Sequence, residues 1–314
     1  TDTVEAFRDY TLGDNIETLT LAGASHINGT GNSLANTITG NSARNRIDGG
    51  TGADSMAGGD GDDIYVVDNV SDTVTENASE GTDLVESAVS YSLSANVENI
   101  LLTGSSGLTA TGNSSANFMR GNSGANIISG DGGNDIVFGF SGNDTIYGGS
   151  GADSLYGDAG NDTIDGGAGN DSIRGGAGRD VFVFSSGFGN DTLYDFTAGF
   201  DSVDLTGLSV GTYTNLLANT VDVSGDAVIT LSGDTITFNG VTKAQLQEGD
   251  FLGLTPGATS GNDVMNGLAT ADNLDGGAGN DTIYGNAGDD TLAGGTGTDY
   301  IDGGAGADAM SGGT

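Results

Sequence analysis

Aspartate recurs every nine residues along much of this chain. Asp54 and Asp63 lie in a first run, and Asp135, Asp144, Asp153, Asp162, Asp171 and Asp180 form a second. Asp263, Asp272, Asp281, Asp290, Asp299 and Asp308 form a third. Carboxylates at such fixed spacing repel one another unless a cation lies among them. Donor chemistry selects the cation. The 314 residues include no cysteine and one histidine, so zinc and copper lack the thiolate or imidazole they favour. An oxygen-only shell suits a hard divalent ion. Calcium, which takes about 6–8 oxygens in forgiving geometry, fits better than magnesium, which prefers a smaller octahedral shell and keeps its waters. Multiple Ca2+ ions are the expected cofactors. With 44 acidic residues against 7 basic and a formal charge of −37, the whole chain calls for cations. The same balance argues against nucleic acid and anionic lipid as partners.

The aspartate sits in a nonapeptide, G-G-x-G-x-D-x-U-x, with U apolar. Runs start at Gly31, Gly112 and Gly267. U is Ile38, Ile47, Met56 and Tyr65 in the first run. In the second it is Met119, Ile128, Val137, Ile146, Leu155, Ile164, Ile173 and Phe182, and in the third Leu274, Ile283, Leu292, Ile301 and Met310. One inward side chain per nine residues, flanked by polar ones, describes a very short strand between tight turns. The 59 glycines supply the backbone freedom such turns need. Stacked strands then share a narrow core that no single repeat could bury, so the expected fold is an all-β solenoid. With one proline and no Gly-X-Y period, collagen is excluded. No apolar run approaches the roughly 18 residues of a membrane span.

These nonapeptides resemble the hemolysin-type calcium-binding (RTX) repeats of proteins exported by Gram-negative type I systems. The resemblance implies a parallel β-roll in which two nonapeptides make one turn and calcium sits between successive turns. It further implies that the aspartate carboxylates, with backbone carbonyls of the glycine-rich turns, are the calcium ligands. Asn36, Asn45, Asn117 and Asn126 depart from the pattern at the aspartate position. They are expected to form opening turns that bind calcium weakly or not at all. The implied location is extracellular or at the cell surface of a Gram-negative bacterium.

The segments between runs carry a second-order repeat. Asp2–Glu5 matches Asp83–Glu86, and Asn15-Ile16-Glu17 matches Asn96-Val97-Glu98, both at an offset of 81 residues, or nine nonapeptides. Residues 1–30 and 67–111 are therefore read as metal-free solenoid segments in phase with repeat blocks 31–66 and 112–183. Residues 184–255 read as a β-rich cap or spacer. Within it, alternating apolar runs around Ser232-Gly233-Asp234 predict a hairpin, and residues 242–251 predict one short helical turn. Pro256 marks the expected linker to a third block, 256–314. Residues 306–314 match 52–60, and the chain opens on a match to a later segment. This predicts a fragment of a longer array, or ends that associate head to tail.

Catalysis is not expected. Catalytic carboxylates do not repeat periodically, and His26 alone offers an imidazole, in a degenerate repeat. No HExxH occurs for a zinc protease. The third repeat position gives no threonine ladder for ice. Arg174 and Arg179 offer a contact for an acidic surface glycan, against the simpler reading of charge compensation. Two functions remain: a structural or adhesive, filament-forming extracellular protein, which the mid-repeat ends and internal spacer favour, and a non-catalytic C-terminal calcium-folding and export module of a secreted toxin or of an enzyme of the protease, lipase or epimerase type.

Overall fold

An apolar residue every nine positions can be buried only if alternate strands face each other across one thin core. The computed structural model describes residues 2–208, 210–254, 261–267 and 271–313 and has this arrangement. The chain divides into two compact units, 1–183 with 187–201, and 184–186 with 202–314.

In the first unit almost every strand is two to six residues long and pairs in parallel with the strand after next. In the repeats the register is eighteen residues: Ile146 opposite Ile164, Leu155 opposite Ile173. Consecutive nonapeptides therefore lie on opposite sheets, and two make a turn. Outside the repeats the same pairing continues with altered steps, as in Val4 opposite Leu19, Tyr65 opposite Val85 and Ile100 opposite Met119. Strands Thr145–Ser150 and Thr163–Ala168 extend past the apolar position into the glycine turn, pairing Gly149 with Gly167. At Gly160, φ is +154° and a Cβ would run into the carbonyl of Gly142, so only glycine lets successive turns stack this closely. Between the sheets runs a single file of side chains, among them Met119, Ile128, Val137, Ile146, Leu155, Ile164, Ile173 and Phe182, all fully buried.

The second unit begins differently. Ser202–Asp204 pairs in parallel with Phe251–Leu252. Strands Thr220–Val223, Asp226–Leu231 and Asp234–Phe238 form an antiparallel meander. Its second turn is the hairpin expected from the sequence, with Ser232 and Gly233 both at positive φ (55° and 108°), as a tight primed turn requires. The short helical turn is a 3-10 turn at Glu248–Asp250. An α-helix at Tyr213–Ala218, capped by the Thr212 side chain, has no counterpart in the sequence reading. The C-terminal repeats form two three-stranded parallel sheets around Met265, Leu274, Ile283 and Leu292. Met310, the last apolar repeat position, is 57% exposed. Pro256 lies outside the described residues.

The thin core gives each buried side chain a large share of the stability. Ile164→Ala should destabilise the calcium-loaded chain by about 2–4 kcal/mol. Ile127→Ala, on a side chain 49% exposed, should change it by less than about 1 kcal/mol. Denaturant unfolding in calcium checks both.

Candidate metal centre

Each repeat aspartate directly follows a glycine turn and directly precedes a short strand, so the stacking that aligns the strands also aligns the carboxylates. The alignment is held by a ladder. The backbone N–H at one aspartate position donates to Oδ1 of the aspartate one turn further on. In the second run Asn117 donates to Asp135, Asp135 to Asp153 and Asp153 to Asp171, at 2.7–2.8 Å. On the other side Asn126 donates to Asp144, Asp144 to Asp162 and Asp162 to Asp180, at 2.7–2.9 Å. The first run links Asn36 to Asp54 and Asn45 to Asp63. The third links Asp263 to Asp281 to Asp299, and Asp272 to Asp290 to Asp308. All fourteen aspartates singled out in the sequence thus lie in such rows.

Oδ1 is satisfied and Oδ2 is not. In Asp54, Asp63, Asp135, Asp144, Asp153, Asp162, Asp171, Asp180, Asp281, Asp290 and Asp299, Oδ2 is buried and accepts no hydrogen bond. Backbone oxygen lies close beside it. A Cβ on Gly148 would stand 2.5 Å from Asp153 Oδ2 and would also collide with the Gly166 carbonyl. A buried carboxylate oxygen without a donor, close to a backbone carbonyl oxygen, supplies the kind of donor set that calcium takes. The residues present therefore fit the ion.

The asparagine turns are built differently. Oδ1 of Asn117 accepts the N–H of Asn113, and its Nδ2 donates to the carbonyls of Val97 and Glu98. Asn36 makes the same pattern with Asn32, Ile16 and Glu17. Asn45 and Asn126 likewise accept from Asn41 and Asn122. An amide N–H here supplies the positive partner that the carboxylate turns lack.

The ladders reach beyond the nonapeptides, where the sequence reading had no candidates. Asp54 N–H donates to Asp72, Asp63 to Asp83, Asp171 to Asp191 and Asp180 to Asp201. At Asp72 the second oxygen accepts the N–H groups of Asp68 and Asn69, and at Asp201 that of Thr197. Those two rows end on satisfied carboxylates. At Asp83 Oδ2 is buried and accepts no hydrogen bond. His26 is exposed, with Nδ1 3.3 Å from the Arg44 carbonyl.

Burial pushes Asp63, Asp135, Asp144 and Asp171 up to about 7, and Asp54 and Asp180 up to about 6. The N–H on Oδ1 opposes the rise, and the neighbouring carboxylate of the row adds to it. A carboxyl with a raised folded-state pKa favours the metal-free fold in acid. That contribution is fully present below the ordinary 3.8 and is lost as pH rises through 6 to 7. The metal-free chain should therefore show more β-structure by circular dichroism at about pH 5 than at about pH 8, and calcium should bind more weakly at the lower pH.

Replacing Asp153 and Asp171 together by Ala, in one row, should lower the number of bound calcium ions and the cooperativity of binding. Asn117→Ala should leave the number unchanged. Calorimetric titration of the full chain distinguishes these outcomes.

The family profile described as RTX calcium-binding nonapeptide repeat (4 copies) matches residues 30–65, 111–146, 138–173, 147–182, 156–193, 258–292 and 284–314, together more than half of the chain. No curated protein matches it significantly. Among solved structures it is similar to the AlgE6R3 subunit from the Azotobacter vinelandii mannuronan C5-epimerase, at 26% identity and a TM-score of 0.33, covering 51% of this chain and 86% of that one. It is also similar to the extracellular lipase LipA from Serratia marcescens, at 19% identity and a TM-score of 0.28, covering 80% of this chain and 42% of the lipase. Among the described residues no helix is long and apolar enough to cross a membrane. With its nonapeptides, its parallel β-solenoid and its rows of buried carboxylates, the chain belongs to the RTX calcium-binding nonapeptide repeat family, whose cofactor is multiple Ca2+ ions.

Proposed function

We propose that this chain is a non-catalytic, calcium-folded roll of a protein secreted by a Gram-negative type I system, and that the roll itself serves as a structural or adhesive extracellular element. The observation that carries the reading is the set of buried Oδ2 atoms that accept no hydrogen bond. In a chain of formal charge −37, such rows disfavour the folded state until they are neutralised. Calcium, when bound, supplies that neutralising charge, so folding is coupled to external calcium. In low cytosolic calcium the same self-repulsion would keep the chain extended for export. The proposed ligands are the fourteen sequence-identified aspartates and the carbonyls of their glycine turns, with the asparagine turns left free of metal.

The adhesive part of the proposal draws on one face of the roll. Arg120, Phe138, Tyr156 and Arg174 stand opposite one another on successive strands. Phe138 and Tyr156 stack at 4.5 Å, and the Arg174 guanidinium lies 4.3 Å from the Tyr194 ring centroid. Such an aromatic and cationic strip suits the ring faces and carboxylates of an acidic polysaccharide. Arg179 already lies over Phe200, at 5.1 Å, and belongs less to that strip.

Sedimentation velocity at two protein concentrations, in chelator and in millimolar calcium, tests the proposal. Calcium-dependent compaction followed by concentration-dependent growth is the expected result. Compaction that ignores concentration would favour the alternative, a folding and export module of a secreted enzyme. No response to calcium would overturn both.

A further inference from the structure

The first run of repeats ends in a group of acids unlike any other in the described residues. Asp63, Glu76 and Asp83 bring one carboxylate oxygen each within 4.8 Å of one another. Their exposures are 1%, 6% and 0%. Asp63 Oδ2, Glu76 Oε2 and Asp83 Oδ2 all accept no hydrogen bond. Tyr65, the residue at the apolar repeat position, turns its hydroxyl to this group. It donates to Glu76 Oε1 and accepts the Gly58 N–H at 2.5 Å. A Cβ on Gly58 would collide with Asp63 Oδ2 and stand 2.5 Å from the Tyr65 hydroxyl, so the bare glycine leaves room where the oxygens converge.

The internal duplication sets this group apart from the repeat sites. At the offset of 81 residues, Gly58 and Asp63 are matched by Gly139 and Asp144, whereas Tyr65 and Glu76 are matched by Ile146 and Gly157. The hydroxyl and the third carboxylate are present together in one copy and absent together from the other. Three buried carboxylates close enough to share one ion, each with an oxygen lacking a donor, match the demand of a hard divalent cation, whose oxygens lie about 2.3–2.6 Å from the metal.

We infer that Asp63, Glu76 and Asp83 form an additional calcium site, closing the first run with two ligands from the segment between the repeats and with the Tyr65 hydroxyl at its edge. The inference rests on the calcium-folded reading above and extends metal binding into residues 67–111, which the sequence reading had as metal-free.

Equilibrium dialysis of radioactive calcium against the full chain tests it. Glu76→Gln should bind one ion fewer than the unsubstituted chain while keeping its β-spectrum in calcium, and Glu5→Gln, on an exposed side chain of the first strand, should bind the full number. An unchanged count in Glu76→Gln would overturn the inference and leave Glu76 as a buried acid bonded to Tyr65. If Glu76→Gln does not fold in calcium, tyrosine-sensitised terbium luminescence of Tyr65→Phe decides. Loss of one site's share of emission supports the site, and undiminished emission overturns it. Failure of the unsubstituted chain to bind calcium at all would count against the calcium-folded reading instead.

Discussion

The fold depends on a carboxylate that is only half satisfied. In each turn of the second run, stacking gives Oδ1 a backbone N–H from the preceding turn, at 2.8 Å for Asp153 and Asp171. The same stacking buries Oδ2 away from any donor. A buried ionised group without a partner opposes folding, and a row of them adds mutual repulsion. The apolar file is one residue wide, so hydrophobic burial has little surplus with which to offset that cost. Sheet, core and metal are thus one cooperative unit: the ladder that aligns the strands also creates the charge that a cation must neutralise.

The asparagine turns show the same geometry solved without an ion. Replacing one carboxylate oxygen by an amide N–H turns an acceptor with no donor into a donor, and Asn117 uses it on the carbonyls of Val97 and Glu98. Asn32 and Asn113 add further bonds of this kind to carbonyls of the preceding turn. The roll therefore contains turns complete in protein atoms alone, placed where the first and second runs begin. Such turns are suited to hold the first coil in register before the charged coils close on it.

Much of this was legible in the sequence, because a nine-residue period constrains both partners of every pair. The buried file from Ile38 to Ile173 and the aspartate rows follow from spacing alone. Legibility fails where the spacing changes while the physical role does not. Asp83 follows Asp63 by twenty residues, and Asp201 follows Asp180 by twenty-one, yet each accepts the same ladder bond as an eighteen-residue neighbour. Insertions on the outer path leave the inner ladder intact, and a fixed-period reading cannot see that. Tyr65 was legible only as an apolar residue. Its ring fills the core as expected, but the hydroxyl gains meaning only once Glu76 is folded against it. The helix at Tyr213–Ala218 is six residues long, too short to leave a periodic signal.

The measurement that bears most directly on this account is a crystal structure grown in calcium, with anomalous scattering used to locate the ions. The account predicts calcium within about 2.3–2.6 Å of Oδ2 in Asp135, Asp144, Asp153, Asp162 and Asp171, shared with carbonyls of the glycine turns. It predicts none beside the amides of Asn36, Asn45, Asn117 and Asn126. Oδ2 atoms met only by water, with the roll intact, would contradict it.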